Sequence, residues 1–216
     1  MHIPDGFLDP KTLIVTAAAS AYALKKDADS AKKIMEEKDI PFLGVLSAFV
    51  FAAQMVNFPV MAGTSGHFLG AAMLTYAVGP QLAGLAMASV LILQCLLFQD
   101  GGLLALGANI FNMAVVAPVT AFFMLKFSKK WFSGKNFAGI FLAGWASVVA
   151  ASIFCSGELF LSGLAGLKEV MIPMVVIHSL IGIGEGLITV AVCSFVDRVR
   201  NIKADGIDNS EKGMTA

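Results

Sequence analysis

The chain has 216 residues, of which 57% are hydrophobic and only 14% charged, with a mean hydropathy of +0.80. A soluble domain carries about 25% charged residues, so this balance excludes an ordinary soluble fold and predicts an integral membrane protein. Fifteen Lys and Arg match 15 Asp and Glu, so bulk charge gives no reason to expect nucleic acid as a partner, and Cys95, Cys155 and Cys193, scattered without C-x-x-C spacing, read as packing residues rather than a disulfide framework or zinc site.

The first residues, MHIPDGFLDP, lack the basic region, apolar core and small-residue cleavage site of a secretory leader. Met1 is expected to keep a free amine, because trimming of an initiator methionine needs a small second residue and His2 is bulky. Pro4, Asp5 and Gly6 carry the pattern of a type I turn that can reverse the chain. Asp9 is the expected N-cap and Pro10 the expected first residue of a helix.

A hydrocarbon core of about 30 Å asks for about 20 apolar residues per helix. Runs free of charged residues apart from Glu185 cover 12–24, 42–58, 66–98, 103–125, 136–156 and 171–196. The 66–98 run exceeds one span and contains AVGPQ, where Gly79 and Pro80 should break it into two helices. Basic residues support that split: KKDADSAKKIMEEKD, KFSKKWFSGK and the tail after Val196 hold 13 of the 15, and only an extra crossing puts all three on one side, as the positive-inside rule requires. The expectation is an all-α membrane protein of seven transmembrane helices, N-terminus extracytoplasmic and C-terminus cytoplasmic. Residues 1–197 form one domain with a metal-binding segment at 1–8, and 198–216 form a polar, disordered tail. The extracytoplasmic face then gathers 1–6, 59–66, 99–102 and 156–169.

Certain polar residues are costly in this setting. Glu185, in HSLIGIGEGLIT, lies two turns from His178 on nearly the same helix face, with Gly182, Gly184 and Gly186 around it able to admit another backbone. The pair forms either a supporting or gating network or a packing hydrogen bond. His67 follows AGTSG and is expected to open the third helix at the outer surface. By itself it is as well read as structural; it becomes a ligand only with a partner.

The chain start supplies that partner. The Met1 amine, the His2 amide nitrogen and the His2 imidazole can close fused five- and six-membered chelate rings around one metal ion, leaving a fourth corner for another imidazole. An all-nitrogen square with a deprotonated amide suits Ni(II) or Cu(II) rather than zinc, which prefers a tetrahedron, or magnesium, which wants oxygen. The alternative is an exposed His2 before an ordinary turn.

MHIPDGFL at the start, AAQMVNFPVMAGTSGHFLGA around His67, GANIFNMAVVAP and IHSLIGIGEGLIT resemble the NikM/CbiM family, the substrate-binding S components of energy-coupling-factor (ECF) transporters for nickel and cobalt in prokaryotic cell membranes. The resemblance runs from Met1 to about Val196, and MHIPDG looks more like the nickel branch. It implies seven helices, with the N-terminus inserted into the bundle. It also implies metal held by the Met1 amine, the His2 amide and imidazole nitrogens, and a fourth imidazole that maps onto His67. His178 and Glu185 match motif positions and take a supporting role.

No G-x-x-x-x-G-K-[ST] phosphate loop is present, so the chain is expected to be no enzyme, with no cofactor of its own. The resemblance implies a transmembrane coupling subunit, ABC-type ATPases and a small accessory membrane subunit as partners. Small-residue pairs Ala17/Ala21 and Ala19/Ala23 offer a docking stripe on the first helix, or tight packing within the bundle. The alternative cargo is Co(II) for cobalamin biosynthesis. A different class, an intramembrane metalloenzyme or a proton or ion channel built on His178 and Glu185, gives Met1 and His2 no role and lacks the H-E-x-x-H pair.

Overall fold

The structure is a computed structural model that describes residues 1–37, 39–60, 64–131 and 136–214. The first helix, α1 (Pro10–Ile34), opens as the sequence implies: the Asp9 carboxylate accepts from the Thr12 N–H at 2.8 Å and Pro10 fills the first turn. It continues past the apolar run through KKDADSAKK to Ile34, because Lys and Ala are good helix formers and neither Gly nor Pro interrupts them. Next come α2 (Asp39–Gln54), a hairpin of β1 (Asn57–Pro59) and β2 (Ser65–His67), α3 (Ala71–Val78) and α4 (Pro80–Phe98). The break between α3 and α4 falls at Gly79–Pro80, where the sequence places it.

The third expected span is built differently. His67 does not open a helix at the surface: it ends β2, pairs with Asn57 of β1 and is 3% exposed. Gly70, at φ +81°, explains the delay, because that left-handed turn suits glycine and α3 begins only after it. The hairpin and α3 together replace a single long helix. Part of the expected loop 59–66, residues 61–63, lies outside the described residues.

Helix α5 (Leu106–Ile110), a π-helical stretch (Phe111–Val116) and α6 (Ala117–Trp131) run on without a break, followed by α7 (Phe137–Leu161), capped by the Asn136 side chain on the Gly139 N–H at 2.7 Å, and α8 (Leu167–Met214). Among the described residues the helices thus form seven rods. Four of them, at Pro80–Phe98, Leu106–Lys130, Phe137–Leu161 and Leu167–Val199, are long and apolar enough to cross a membrane, and the chain is a multi-pass membrane protein. The expected disordered tail over 198–216 falls at the end of α8, with residues 215–216 outside the described residues.

Helices α7 and α8 approach backbone to backbone. A Cβ on Gly186 would lie 2.8 Å from the Phe141 carbonyl oxygen, and one on Gly182 would lie 2.9 Å from Trp145 Cδ1, so both glycines are there for the close contact the sequence suggests; Gly184 faces open space. All three cysteines are free and buried. The largest cluster of buried apolar side chains joins α2, α3, α4, the π stretch, α6, α7 and α8. A second one, at the end of the bundle where the chain starts, packs Ile3 and Leu8 against Ala105, Ala108, Cys155, Leu159, Val170 and Met174.

Candidate metal centre

The chain start is threaded into the bundle. Met1, His2 and Ile3 are 1%, 3% and 0% exposed. Ile3 supplies an apolar anchor of about 2 kcal/mol, and its backbone is held like a strand: the Ile3 N–H donates to Asn109 Oδ1 at 2.7 Å, while the Ile3 carbonyl accepts from Asn109 Nδ2 at 3.1 Å and from the Gly102 N–H at 2.9 Å. Two residues on, the Asp5 carboxylate accepts from the N–H groups of Leu103, Leu104 and Ala105 at 2.8–3.1 Å. It thereby fixes the turn that leads into α5. The turn at Asp5–Gly6, with Gly6 at φ +88°, then leads the chain to α1.

The opposite wall is the β1–β2 hairpin, fixed where it leaves for α3. Both oxygens of Glu185 accept backbone hydrogens there, from Leu69 and Gly70, each at 2.7 Å, and Gln54 Nε2 donates to the Leu69 carbonyl at 2.7 Å. Leu69 is clamped from α8 and α2 together. His67 sits just before the clamp. Its Nδ1 lies 2.7 Å from the Phe68 carbonyl oxygen, which only accepts, so Nδ1 carries the hydrogen and Nε2 presents a bare lone pair.

That lone pair faces the Met1 amine at 2.9 Å. With metal–nitrogen bonds of about 2.0 Å, adjacent corners of a square lie about 2.8 Å apart, so the pair has the separation of neighbouring ligands. The remaining two candidate donors belong to the same cluster. The Ser65 hydroxyl oxygen lies 3.4 Å from the Met1 nitrogen, 3.2 Å from the His2 amide nitrogen and 3.3 Å from His2 Nδ1; the amine also donates to the Ser65 carbonyl. The His2 and His67 rings face each other with centroids 4.8 Å apart. Asp100 closes the ring of contacts, its Oδ1 lying 3.3 Å from His2 Nδ1 while its Oδ2 accepts from Asn57 Nδ2 at 3.1 Å.

Burial sets the charge state of these donors. It lowers the Met1 amine from 8.0 to about 5, with Cys155 and Asp100 opposing. His2 falls to about 3, by burial and then by the nearby amine. Both groups are therefore unprotonated at neutral pH, with lone pairs available for a metal. A divalent ion that displaces the His2 amide proton leaves one net positive charge, and the Asp100 carboxylate stands beside it to offset that charge.

Met1, His2 and His67 are thus brought together. Among the described residues no group of three or more His, Cys, Asp and Glu side chains is placed to hold a metal; the candidate centre draws half its donors from an amine and an amide. Glu185 stands behind the hairpin rather than in the centre. His178, fully buried, has Nδ1 2.8 Å from the Met174 carbonyl oxygen. Sequence reasoning missed Ser65, Asp100, Asn57, Gln54 and Asn109, whose polar side chains in apolar or glycine-rich surroundings were the available signal. It also placed Glu158 in an outer loop. Glu158 belongs to α7, is 6% exposed and accepts from Asn112 Nδ2 at 2.7 Å, and Asn112 sits in the π stretch.

The chain is similar to known metal transport proteins. Residues 2–202 match the family profile CbiM, described as the cobalt uptake substrate-specific transmembrane region. The Archaeoglobus fulgidus protein named for fused nickel transport, NikMN, is 37% identical over 206 residues, an overlap of 93% of this chain but only 66% of the relative. A cobalt transport protein, CbiM, of Acetoanaerobium sticklandii is 31% identical over 89% of this chain and 82% of its own. The crystal structure of a transition metal transporter superposes with a TM-score of 0.88 at 33% identity, covering 92% of this chain and 93% of the other.

Proposed function

The chain belongs to the CbiM family of cobalt uptake substrate-specific transmembrane regions, and from that premise we propose that it is the substrate-binding S component of an energy-coupling-factor importer, taking up Ni(II) from outside the cell. One observation carries the reading: the Met1 amine and His67 Nε2 meet at 2.9 Å while both His2 nitrogens share the Ser65 hydroxyl with that amine. Four nitrogens from two walls can then close a square on one ion. The ion is cargo, and the chain needs no resident cofactor.

In this reading the chain crosses the membrane seven times, with its start outside and α8 ending in the cytoplasm. The hairpin and α3 make the third crossing together. Eight residues of α3 span only about 12 Å, and non-helical backbone at membrane depth is tolerated where protein covers it. The sequence has no phosphate loop, so energy comes from ABC-type ATPases through a transmembrane coupling subunit, with a small accessory membrane subunit completing the complex. Helix α1 is the docking face: Ile14, Val15 and Tyr22 are exposed apolar residues beside the exposed Ala17 and Ala21, whereas Ala19 and Ala23 are half-buried.

Co(II) is the alternative cargo, since relatives are named for cobalt as well as nickel. The Irving–Williams order favours nickel at equal donors, and the square favours it further. The test is a calorimetric titration of the detergent-solubilised protein with Ni(II), alongside a variant carrying three extra residues before Met1, which puts the free amine out of chelating reach of His2. Nickel binding that survives the extension overturns the terminal chelate.

A further inference from the structure

We propose that Ser65 is the specificity residue of this centre: its hydroxyl stands on the axis of the nitrogen square and closes one axial face of the bound ion. The inference rests on the square assigned above and adds to it a residue that supplies none of the four donors.

The Ser65 oxygen lies 3.4, 3.2 and 3.3 Å from the Met1 nitrogen, the His2 amide nitrogen and His2 Nδ1, the three donors that belong to one fused chelate. A point equidistant from three corners of a square lies on the perpendicular through its centre. With metal–nitrogen bonds of about 2.0 Å, the oxygen stands about 2.6 Å above the metal. That is too long for a full bond and too short to admit a water molecule between them. A long, weak axial neighbour of this kind tunes a metal site without adding a ligand.

Before the ion arrives, the same hydroxyl serves the donors. It can accept from the amine and from the His2 N–H and donate to His2 Nδ1, holding all three at the corners they later occupy. Its own position is fixed by the hairpin, where Ser65 pairs with Pro59 in register and its carbonyl accepts from the Met1 amine. When the ion binds, the amide proton leaves and the three nitrogens turn from the hydroxyl to the metal. The hydroxyl remains on the axis. Low-spin Ni(II) is satisfied by four planar nitrogens, whereas Co(II) gains from a fifth or sixth ligand that this position withholds.

The experiment loads native protein, S65A and S65T with Ni(II) and separately with Co(II), and reads proton NMR line widths and relative affinities. Native and S65T proteins should give the sharp, unshifted lines of diamagnetic planar nickel. S65A should still bind nickel, but with a water on the metal, paramagnetically shifted lines and a preference for nickel over cobalt reduced about tenfold. A folded S65A with planar nickel and native preference overturns the axial role, and so does one that loses nickel binding altogether, since the hydroxyl would then be a donor. X-ray absorption on native nickel protein tests the point without any substitution: four nitrogens and a light atom near 2.6 Å are expected, and a spectrum with no such atom overturns it. Failure of the parent reading looks different, as nickel bound tightly to the Met1-extended chain.

Discussion

The two walls of the centre are held by opposite means. In the proposed square the hairpin wall would supply one nitrogen, His67 Nε2, and it is tied to the bundle through the Glu185 carboxylate and Gln54, both buried and both bonded to backbone. The N-terminal wall would supply the other three and is laid against the bundle through Asn109, Gly102 and Asp5, with Ile3 as its apolar anchor. One wall is part of the fold; the other is a chain end docked onto it. The difference teaches that affinity should live mostly in the docked segment and stability mostly in the hairpin clamp, and that the docked segment is the part able to leave when the ion is released.

The most severe way to break this asymmetry is an extension of three residues before Met1. It turns the Met1 amine into an amide and carries the free amine out of chelating reach of His2, and should cost at least about a thousandfold in nickel affinity by calorimetry, with the helical circular dichroism retained. Acid should act on the same wall. Displacing the amide proton makes nickel affinity fall about tenfold for each pH unit below 8, and more steeply near pH 5, where the amine itself begins to take up a proton. Metal-free protein should lose stability over the window from about 8 to about 5, because there the unfolded chain holds an amine proton that the folded chain excludes. A flat affinity between pH 8 and 5 would sink the all-nitrogen site.

Removing the hairpin's donor, His67→Ala, opens one corner and should cost about a hundredfold in nickel affinity, with the helical circular dichroism retained. The next pair sharpens the contrast directly. Asn109→Ala strips both side-chain bonds from Ile3 and should weaken nickel about tenfold, with faster hydrogen exchange at the Ile3 amide as its signature. Glu185→Gln leaves one of the Leu69 and Gly70 N–H groups without its acceptor, costing about 1–3 kcal/mol of stability and lowering the thermal midpoint while changing affinity less than Asn109→Ala does. Equal effects of the two substitutions on both measurements would mean that the walls are one unit.

The Asp9–Pro10 helix start, the Gly79–Pro80 break and the close approach at Gly182 and Gly186 were legible, because each depends on local chemistry: a cap, a missing N–H or an absent side chain. The apolar run 136–156 marked the start of α7 but not its end, which lies at Leu161. His67 was legible as a residue of interest but not as a strand residue, since the hairpin is made by pairing with Asn57 and by the bonds that Glu185 and Gln54 bring from α8 and α2, none of which is local. Glu158 was misplaced for a related reason: its partner Asn112 lies far away in sequence, on a π stretch that composition does not announce.

By itself, then, the sequence determined that the chain crosses membranes, where α1 starts and where α3 and α4 part, because hydropathy and caps are properties of neighbouring residues. Only the tertiary structure decided that the Met1 amine meets His67, that Ser65 sits among their nitrogens, that Asp100 stands beside His2 and that Glu185 bonds the backbone of Leu69 and Gly70. Those facts depend on distances between segments separated by scores of residues, and such distances are fixed by packing.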